Sequence, residues 1–258
     1  MTISVLQLNI NADNYWDNLV MFLTSSDFDV IQLQEVSGKG TIAGNLNVKI
    51  DCFEELKKII DTKYNGEMAI AQRYASSPTS YMANATFYKK EYKLIEKNVL
   101  PLFIQNVPFP SNSENYETVG RNLLHLKLQI GDKIVSFLNT HLAWAKTTIE
   151  QPHQTQQGKI LFGYLQKIPH PFILTGDFNI DQNQPLIQKI NSLARNLIAE
   201  NNIINTLNER THRARILFPP GAAVDYIYVT QDLKVNKFEV LKDKDLSDHL
   251  GITGEIEI

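Results

Sequence analysis

The sequence predicts an α/β fold in which large mixed sheets are covered by helices. Strand-like segments recur along the whole chain, and a few segments with helical spacing lie between them. No linker, repeat or shift of composition divides the 258 residues, of which 43% are hydrophobic. A chain of this length buries a core large enough to fold without disulfides or a structural metal. We therefore expect a single domain that spans residues 1–258.

The first half of the chain predicts alternating strands and helices, followed by a strand-rich region. Residues 3–9 alternate as in a strand, and Trp16, Leu19 and Leu23 have helical spacing. A second strand at residues 30–36 is followed by a glycine-rich loop and a helix at 53–60. Further strands are predicted at residues 67–73, 82–89, 92–100, 122–130 and 134–139, with a short hairpin at Gly131-Asp132 between the last two.

The sequence also predicts two long loops and, after residue 139, two helices and four strands. Residues 105–118 and 208–223 are polar and contain prolines, which predicts surface loops. Leu161 and Leu165 lie on the apolar face of one helix, and residues 185–194 predict another. Strands are predicted at residues 172–175, 224–230, 237–241 and 251–258.

The composition excludes several classes of protein. There are 25 Lys+Arg against 28 Asp+Glu, a net charge of −3, so no strongly basic surface is required. Cys52 is the single cysteine, which excludes an internal disulfide and a cysteine metal motif. No apolar run approaches the ~20 residues of a membrane span, and the N-terminus lacks the features of a signal peptide. We expect a cytoplasmic monomer without a membrane anchor.

Polar side chains follow the ends of the predicted strands, where ligand sites of α/β proteins form. Any one of them has an ordinary explanation as turn chemistry, but together they offer oxygen and imidazole donors and no thiol. Such donors suit Mg²⁺, Mn²⁺ or Ca²⁺ rather than structural zinc, and a histidine beside an aspartate suits proton transfer. The candidates are Asn9, Glu35, His141, Asp177, Asn179, Asp225, Asp248 and His249.

The order of these motifs resembles the endonuclease/exonuclease/phosphatase superfamily. The motifs are Leu-Asn9, Leu-Gln-Glu35-Val, Asn-Thr-His141-Leu, Thr-Gly-Asp177-Phe-Asn179, Val-Asp225-Tyr-Ile and Ser-Asp248-His249, and they cover residues 8 to 249. The resemblance implies a four-layer α/β sandwich: two mixed, mainly antiparallel sheets packed face to face, with helices outside and the site at one rim.

The resemblance also implies a metal site and a basic group. Glu35 would be the main ligand of Mg²⁺, for which Mn²⁺ can substitute, with Asn9 beside it and Asp248 in support. His249, oriented by Asp225, would be the general base or the group that stabilises the bound phosphate.

The remaining catalytic positions surround the reacting phosphate. By the resemblance, Asp177 and Asn179 would align the attacking water and the phosphoryl oxygens. His141 would be a phosphate ligand or a proton donor near the leaving group. In deoxyribonuclease I-like relatives a glutamate pairs with this histidine; here Asn84 stands on the matching strand and is expected to face His141. An amide cannot stabilise an imidazolium as a carboxylate does, so His141 is expected to be the weaker acid–base group.

Substrate contacts are expected from a basic run and from one tryptophan. Arg210, Arg213 and Arg215 form the densest positive cluster, which is either a solvated face or a flank of the site that contacts substrate phosphates. Trp144 follows His141 closely and is a candidate for stacking on a base, with core packing as the alternative. Arg121 follows Gly120 at the start of a strand and is interpreted as a surface arginine.

The sequence thus favours a metal-dependent phosphodiesterase that acts on nucleic acid, as a nuclease or a DNA-repair enzyme. The alternative is a phosphoesterase for small molecules or lipid headgroups, of the inositol phosphate or sphingomyelin type. A non-catalytic binding protein on the same scaffold is disfavoured, because every catalytic position carries a suitable residue.

Overall fold

The computed structural model describes residues 1–43, 46–104, 116–169, 171–212 and 221–258. The first elements in chain order are β1 (Thr2–Asn9), α1 (Trp16–Ser25), β2 (Val30–Ser37), β3 (Ile42–Ala43), β4 (Leu46–Asn47), α2 (Cys52–Ile59), β5 (Tyr64–Arg73), β6 (Tyr81–Lys89) and β7 (Lys93–Phe103). After a 3₁₀ turn at Tyr116–Thr118 follow β8 (Arg121–Ile130), β9 (Lys133–His141), α3 (Pro152–Leu165), β10 (Phe172–Asp177), α4 (Pro185–Asn191), β11 (Arg195–Asn196), α5 (Leu197–Glu200), β12 (Asp225–Val229), β13 (Lys234–Leu241) and β14 (Gly251–Glu257).

Most of these strands form two mixed sheets of six strands each. The first sheet has the order β13-β14-β1-β2-β6-β5 and the second the order β11-β12-β10-β9-β8-β7. In the first sheet only β1 and β2 are parallel, and in the second only β9 and β10. The carboxyl ends of both parallel pairs lie at one rim, because Asn9 at the end of β1 bonds Asp177 at the end of β10. The mixed, mainly antiparallel sheets predicted from the sequence are confirmed.

The side chains of β1 and β2 alternate between two apolar layers, one on each face of the first sheet. Leu8 and Leu33 pack outward against Leu19 of α1 and Leu56 of α2. Val5 points the other way, into the space between the two sheets. Beyond the second sheet, α3 packs in the same large cluster through Leu161 and Leu165. Helices, sheet, sheet and helices therefore form four layers, as the resemblance implied.

The space between the sheets is apolar at one end and polar at the other. Ile3, Val5 and Val30 fill the first end. Further along the same faces the side chains become amides and hydroxyls, all of them buried. This polar set comprises Gln7, Asn9, Gln32, Gln34, Asn84 and Thr86 from the first sheet and Asn122, Asn139, His141, Thr175, Asp177 and Asp225 from the second. The functional candidates therefore stand at the mouth of a buried polar layer.

The predicted elements differ from the structure mainly at their ends. The strand predicted at 92–100 continues to Phe103 through Pro101, which β7 tolerates as an edge strand with a shift of register at that point. The glycine-rich loop contains the short strands β3 and β4. Residues 105–115 and 213–220, which belong to the two predicted loops, lie outside the described residues.

Two further expectations concern the membrane and the single thiol. Among the described residues, no helix is both long and apolar enough to cross a membrane, and α3 has 14 residues. Cys52 opens α2 and is 0% exposed in the outer apolar layer. Burial raises the pKa of its thiol to about 12. The thiol is therefore neutral and shielded at ordinary pH.

Candidate active site

Asp177 is the centre of the candidate site. It ends β10, and in the ladder it pairs with His141 of β9 on one side and with Asp225 of β12 on the other. Its Oδ2 accepts a hydrogen bond from Nδ2 of Asn9 at 2.9 Å, which joins the two sheets. The same oxygen lies 3.6 Å from Nε2 of His141 and 3.8 Å from Nε2 of His249. Burial, with a further contribution from the Asp225 carboxylate, raises the pKa of Asp177 to about 7.

The glycine before Asp177 is required by the close approach of β9 and β10. A Cβ atom on Gly176 would lie 2.3 Å from the carbonyl oxygen of Thr140. Any side chain there would push the two strands apart and change the spacing between Asp177 and His141. The Gly-Asp sequence therefore sets the geometry of the site as well as its chemistry.

Glu35 is aimed into the site by an irregularity in β2. The pairing of β2 with β6 shifts register between Leu33 and Val36, and Glu35 has a φ of 55°. Its side chain is 24% exposed, with Oε1 at 3.9 Å from Nε2 of His141. Burial and the nearby Asp248 carboxylate raise the pKa of Glu35, against the lowering effects of His249 and of a hydrogen bond from Asn9. These contacts place the three expected metal ligands at one rim.

His249 is held by a carboxylate, as the sequence predicted. Its Nδ1 donates to Oδ2 of Asp225 at 2.9 Å, and the hydroxyl of Thr206 donates to the same oxygen at 2.7 Å. Nε2 is thereby turned towards Asp177. Burial alone would lower the pKa of His249, but the carboxylates of Asp225 and Asp177 outweigh it and hold this pKa well above the usual range.

His141 is held by an amide. Nδ2 of Asn179 donates to the carbonyl of Leu142 and to Nε2 of His141, each at 3.1 Å. Because the carbonyl can only accept, the amide nitrogen must face both atoms, so Nε2 accepts and the proton of the ring is on Nδ1. Burial, followed by the charges of Arg121 and His249, lowers the pKa of His141 well below the usual range. The ring is therefore neutral in this arrangement.

The expected contact between Asn84 and His141 is not made. Nδ2 of Asn84 donates instead to the carbonyl and to Oδ1 of Asn122, at 3.1 and 2.9 Å. Among the described residues, Nδ1 of His141 has no hydrogen-bond partner. The prediction that this histidine lacks a carboxylate on its second nitrogen stands, but the residue that replaces the carboxylate does not contact the ring.

Arg121 was interpreted as a surface arginine, and that was wrong. The residue is 4% exposed, and in the described part of the chain no carboxylate lies within the 4.0 Å of an ion pair. Its Nε has no hydrogen-bond partner there, and Nη1 contacts only the sulfur of Met82, at 3.7 Å. Burial lowers the pKa of Arg121, while the charges of Tyr74, Glu35 and Asp177 raise it. The glycine before Arg121 is the sequence feature that indicates burial here. A Cβ atom on Gly120 would lie 2.1 Å from the carbonyl oxygen of Ala71, so this strand start is tightly packed.

His212 is the second residue that the sequence did not single out. Its ring lies edge-on to that of His249 at 5.4 Å, and Nε2 is 3.9 Å from Oδ2 of Asp248. Within the described part of the chain, two groups of side chains have ligand atoms within 4.8 Å of one another and could hold a metal ion: His212 with Asp248 and His249, and Asp177 with Asp225 and His249. His212 belongs to the basic run that starts at Arg210. In that run the sequence indicated a role for the arginines only.

The expected substrate contacts are only partly described. Arg210 pairs with Asp245 at 2.7 Å on an exposed surface, so it fastens its own segment to the neighbouring loop. Arg213 and Arg215 lie outside the described residues. Trp144 is partly buried, three positions after His141. Trp144 and Arg210 therefore remain candidate substrate contacts, and Arg210 also fastens its own segment to the neighbouring loop.

The fold and this constellation agree with a match to a protein-family model. The chain matches the Endonuclease/Exonuclease/phosphatase family over residues 6–249, nearly its whole length, and it belongs to that family. No curated protein sequence gives a significant match.

Several solved structures share the fold. An endonuclease/exonuclease/phosphatase from Bacteroides vulgatus is 19% identical, with a TM-score of 0.72 over 100% of this chain and 99% of that chain. A mannosyl-6-phosphatase from Bacteroides thetaiotaomicron VPI-5482 is 18% identical, with a TM-score of 0.68 over 99% and 100%. The human Nocturnin catalytic domain with bound sulfate is 17% identical, with a TM-score of 0.72 over 99% and 93%. At these identities the likeness shows the fold.

Proposed function

We propose that the protein hydrolyses phosphoester bonds in nucleic acid with the help of a divalent metal ion, as a nuclease or DNA-repair enzyme. The observation that carries the proposal is the meeting of two imidazoles at one carboxylate. His141 and His249 both direct Nε2 at Oδ2 of Asp177, at 3.6 and 3.8 Å, beside Glu35. Together with Asp177 and Glu35, the two rings offer groups that would bind and align a phosphate and a water molecule.

The donors at the rim fit a hard cation. Glu35, Asn9 and Asp248 would hold the ion, and they offer only oxygen donors and an amide, which Mg²⁺ and Mn²⁺ accept. Burial and the neighbouring Asp248 carboxylate raise the pKa of Glu35, and a cation would relieve the repulsion between the two carboxylates. A bound divalent ion would polarise the phosphoester and neutralise charge that develops on it.

The residues of the chain would then divide the remaining tasks. Asp177, fixed by Asn9 and by the backbone amide of Asn179, would orient the attacking water. His249 would exchange a proton with that water or donate to a phosphoryl oxygen through Nε2, with Asp225 holding the ring. To donate to another phosphoryl oxygen, Nε2 of His141 would have to take up a proton when the phosphate binds, and the amide of Asn179, released from Nε2, would donate beside it. Positioning and charge neutralisation are the main sources of rate in such reactions.

Arg121 supports an anionic substrate. A buried guanidinium without a carboxylate partner is costly, and such groups are usually paired. Here the guanidinium lies close enough to Glu35, Asp177 and His141 for its charge to change their pKa values. A phosphoryl group at the site would supply the missing negative charge and accept from a planar donor.

The test is a substrate panel with purified protein. Plasmid DNA, abasic duplex, single-stranded DNA and RNA, 5′-phosphotyrosyl DNA, sphingomyelin, inositol phosphates and sugar phosphates would be incubated with Mg²⁺ or Mn²⁺. We expect nucleic-acid cleavage that EDTA abolishes and that Glu35→Gln lacks. Hydrolysis of small phosphoesters alone would move the assignment to the second candidate, and no turnover on any substrate with either metal would overturn the proposal.

The second candidate is a phosphoesterase for small molecules or lipid headgroups. The fold likeness to a mannosyl-6-phosphatase, which extends over the whole of both chains, favours it, as does the net charge of −3. Arg213 and Arg215 separate the two candidates, because a polyphosphate backbone gives repeated contacts that a small phosphoester cannot.

Salt dependence measures those contacts. If Arg213 and Arg215 bind a nucleic-acid backbone, changing both to alanine should raise the Michaelis constant for oligonucleotides several-fold. It should also flatten the log–log dependence on salt by roughly 0.7 to 0.9 per lost contact. Hydrolysis of bis-p-nitrophenyl phosphate serves as the control and should barely change. An unchanged salt slope on both DNA and RNA would favour the small-molecule candidate.

A further inference from the structure

A chain of buried amides runs through the polar layer between the sheets and ends at Asp225. Asn139 of β9 donates to the backbone carbonyls of Leu33 and Ala85, at 3.0 and 2.8 Å. Gln34 of β2 donates to Oδ1 of Asn139 at 2.7 Å. The chain begins next to Glu35 and crosses twice between the sheets. It therefore connects the expected metal side of the site with the side of His249.

Gln7 of β1 is the last member of this chain. Its Nε2 donates to Oε1 of Gln34 at 2.9 Å and to Oδ1 of Asp225 at 3.1 Å. The orientation of this amide is determined by its partner, because a carboxylate accepts and the nitrogen must therefore face it. Gln7 is 0% exposed, so no solvent competes for these donors.

The Asp225 carboxylate is consequently restrained at both oxygens. Oδ2 receives Thr206 and His249, and Oδ1 receives Gln7. A carboxylate with donors on one oxygen alone can rotate about its last bond, whereas donors on both oxygens fix its plane. The direction of the bond to His249 depends on that plane.

Gln32 shows that a glutamine in this layer is not fixed by its position alone. It pairs with Gln7 in the ladder of β1 and β2 and is also 0% exposed. Yet neither Nε2 nor Oε1 of Gln32 has a hydrogen-bond partner among the described residues. The two neighbouring glutamines, equally buried, therefore differ in their donors: Nε2 of Gln7 bonds Gln34 and Asp225, whereas Nε2 of Gln32 has no partner in the described part of the chain.

We propose that Gln7 is a positioning residue, which fixes the plane of Asp225 and through it the ring of His249. The proposal rests on the function proposed above as far as turnover is concerned, but the positioning itself is a property of the protein without metal or substrate. Gln7 touches neither, so its effect should appear in the turnover number and not in substrate binding.

The first experiment observes the His249 ring directly. In the metal-free protein, an Nδ1–H donated to a carboxylate and shielded from solvent should give a downfield proton resonance, which loss of the signal in His249→Gln would assign. We expect this resonance to shift or to broaden by solvent exchange in Gln7→Met, which keeps the side-chain volume but removes the donor. In the matched control Gln32→Met it should keep its position. An unchanged resonance in Gln7→Met would overturn the proposal.

The second experiment measures turnover on the best substrate of the panel. Without the hydrogen bond that fixes the plane of Asp225, kcat of Gln7→Met should fall about ten-fold or more, with KM within about two-fold. Gln32→Met should retain wild-type kcat. Equal losses in the two variants, or a loss in KM alone, would show a general packing effect and contradict the proposal. Gln7→Asn, which keeps an amide but is one methylene too short, takes the same tests should Gln7→Met fail to fold.

The two experiments test the positioning by Gln7 and the proposed function independently. A shifted resonance in a protein without phosphoesterase activity would support the positioning by Gln7 and reject the proposed function. Activity with an unshifted resonance would do the reverse.

Discussion

His249 and His141 lie on opposite sides of Asp177 and are held in opposite ways. His249 donates to a carboxylate, which holds its pKa well above the usual range. His141 accepts from the amide of Asn179, and burial lowers its pKa well below that range. Both rings are nearly fully buried, so exposure does not explain the difference. The carboxylates around His249 favour the charged ring, whereas burial and nearby positive charges keep His141 neutral, so the two imidazoles can perform different tasks.

The largest effect should come from the His249 side. His249→Ala should lower kcat by about 10³–10⁴, at or beyond the top of the range for acid–base groups, because the reaction loses the group that exchanges a proton with the water or the phosphate. Asp225→Asn should share much of this loss, since an amide orients the ring less well and stabilises no positive charge. Steady-state kinetics under matched metal conditions measure both. A fall of less than ten-fold in His249→Ala would contradict the assignment.

Glu35 lies on the His141 side and should have the next largest effect. Glu35→Gln should fold normally and lose most turnover in Mg²⁺, roughly 10³-fold, because the cation loses its main charged ligand. High Mn²⁺ should restore part of the activity. Isothermal titration with Mn²⁺ provides a readout besides activity, and the variant should bind more weakly. Full activity of the variant in Mg²⁺, or of the wild type in excess EDTA, would rule out this metal assignment.

His141 should matter less than His249. A neutral ring that accepts from an amide contributes hydrogen bonding and shape but no charge, so His141→Ala should cost about 10–10²-fold in kcat. Asn179→Ala should lower kcat by a similar factor, because Asn179 and His141 hold each other through their hydrogen bond. The ranking is the point of the measurement: a greater loss in His141→Ala than in His249→Ala would reverse the comparison.

Asp177 between the two histidines should make the metal-free protein less stable as pH rises. Its pKa is raised from 3.8 to about 7 on folding, so between these values the folded state binds the extra proton. The free energy of unfolding should therefore fall as pH increases through this window, by at most about 1.4 kcal/mol per pH unit. Denaturant unfolding of wild type and Asp177→Asn at several pH values isolates the contribution, since the variant should lack it. Equal pH dependence in both proteins would contradict the raised pKa.

The resemblance predicted one contact of the site that the structure makes. It implied that Asp225 orients His249, and Nδ1 of His249 donates to that carboxylate. The weaker support of His141 was also predicted, from the asparagine on the matching strand. The four layers and the mixed sheets followed from the resemblance and were confirmed, whereas the order of the strands in each sheet came from the structure alone.

Other contacts required knowledge of the pairing of strands that are distant in sequence. Asn84 bonds Asn122 because β6 and β8 face each other across the two sheets, and no local pattern shows which of several asparagines would meet. Arg121 carries a charge, and charge at a strand start usually means exposure. In the sequence Gln7 is an ordinary residue of an alternating strand. Its partner Asp225 is 218 positions away, so the local pattern does not indicate the contact. Such contacts are properties of the packing between the sheets.

The single buried cysteine makes the protein convenient for labelling. Cys52 is fully buried with a neutral thiol, so alkylating reagents should leave the folded wild type unmodified. A cysteine introduced on the surface would then be the only reactive group, without prior removal of the native one. Lys146 is exposed five positions after His141, and a fluorophore on Lys146→Cys would sit near the rim of the site. Arrival of a substrate could then be followed in real time, even in variants that no longer turn it over.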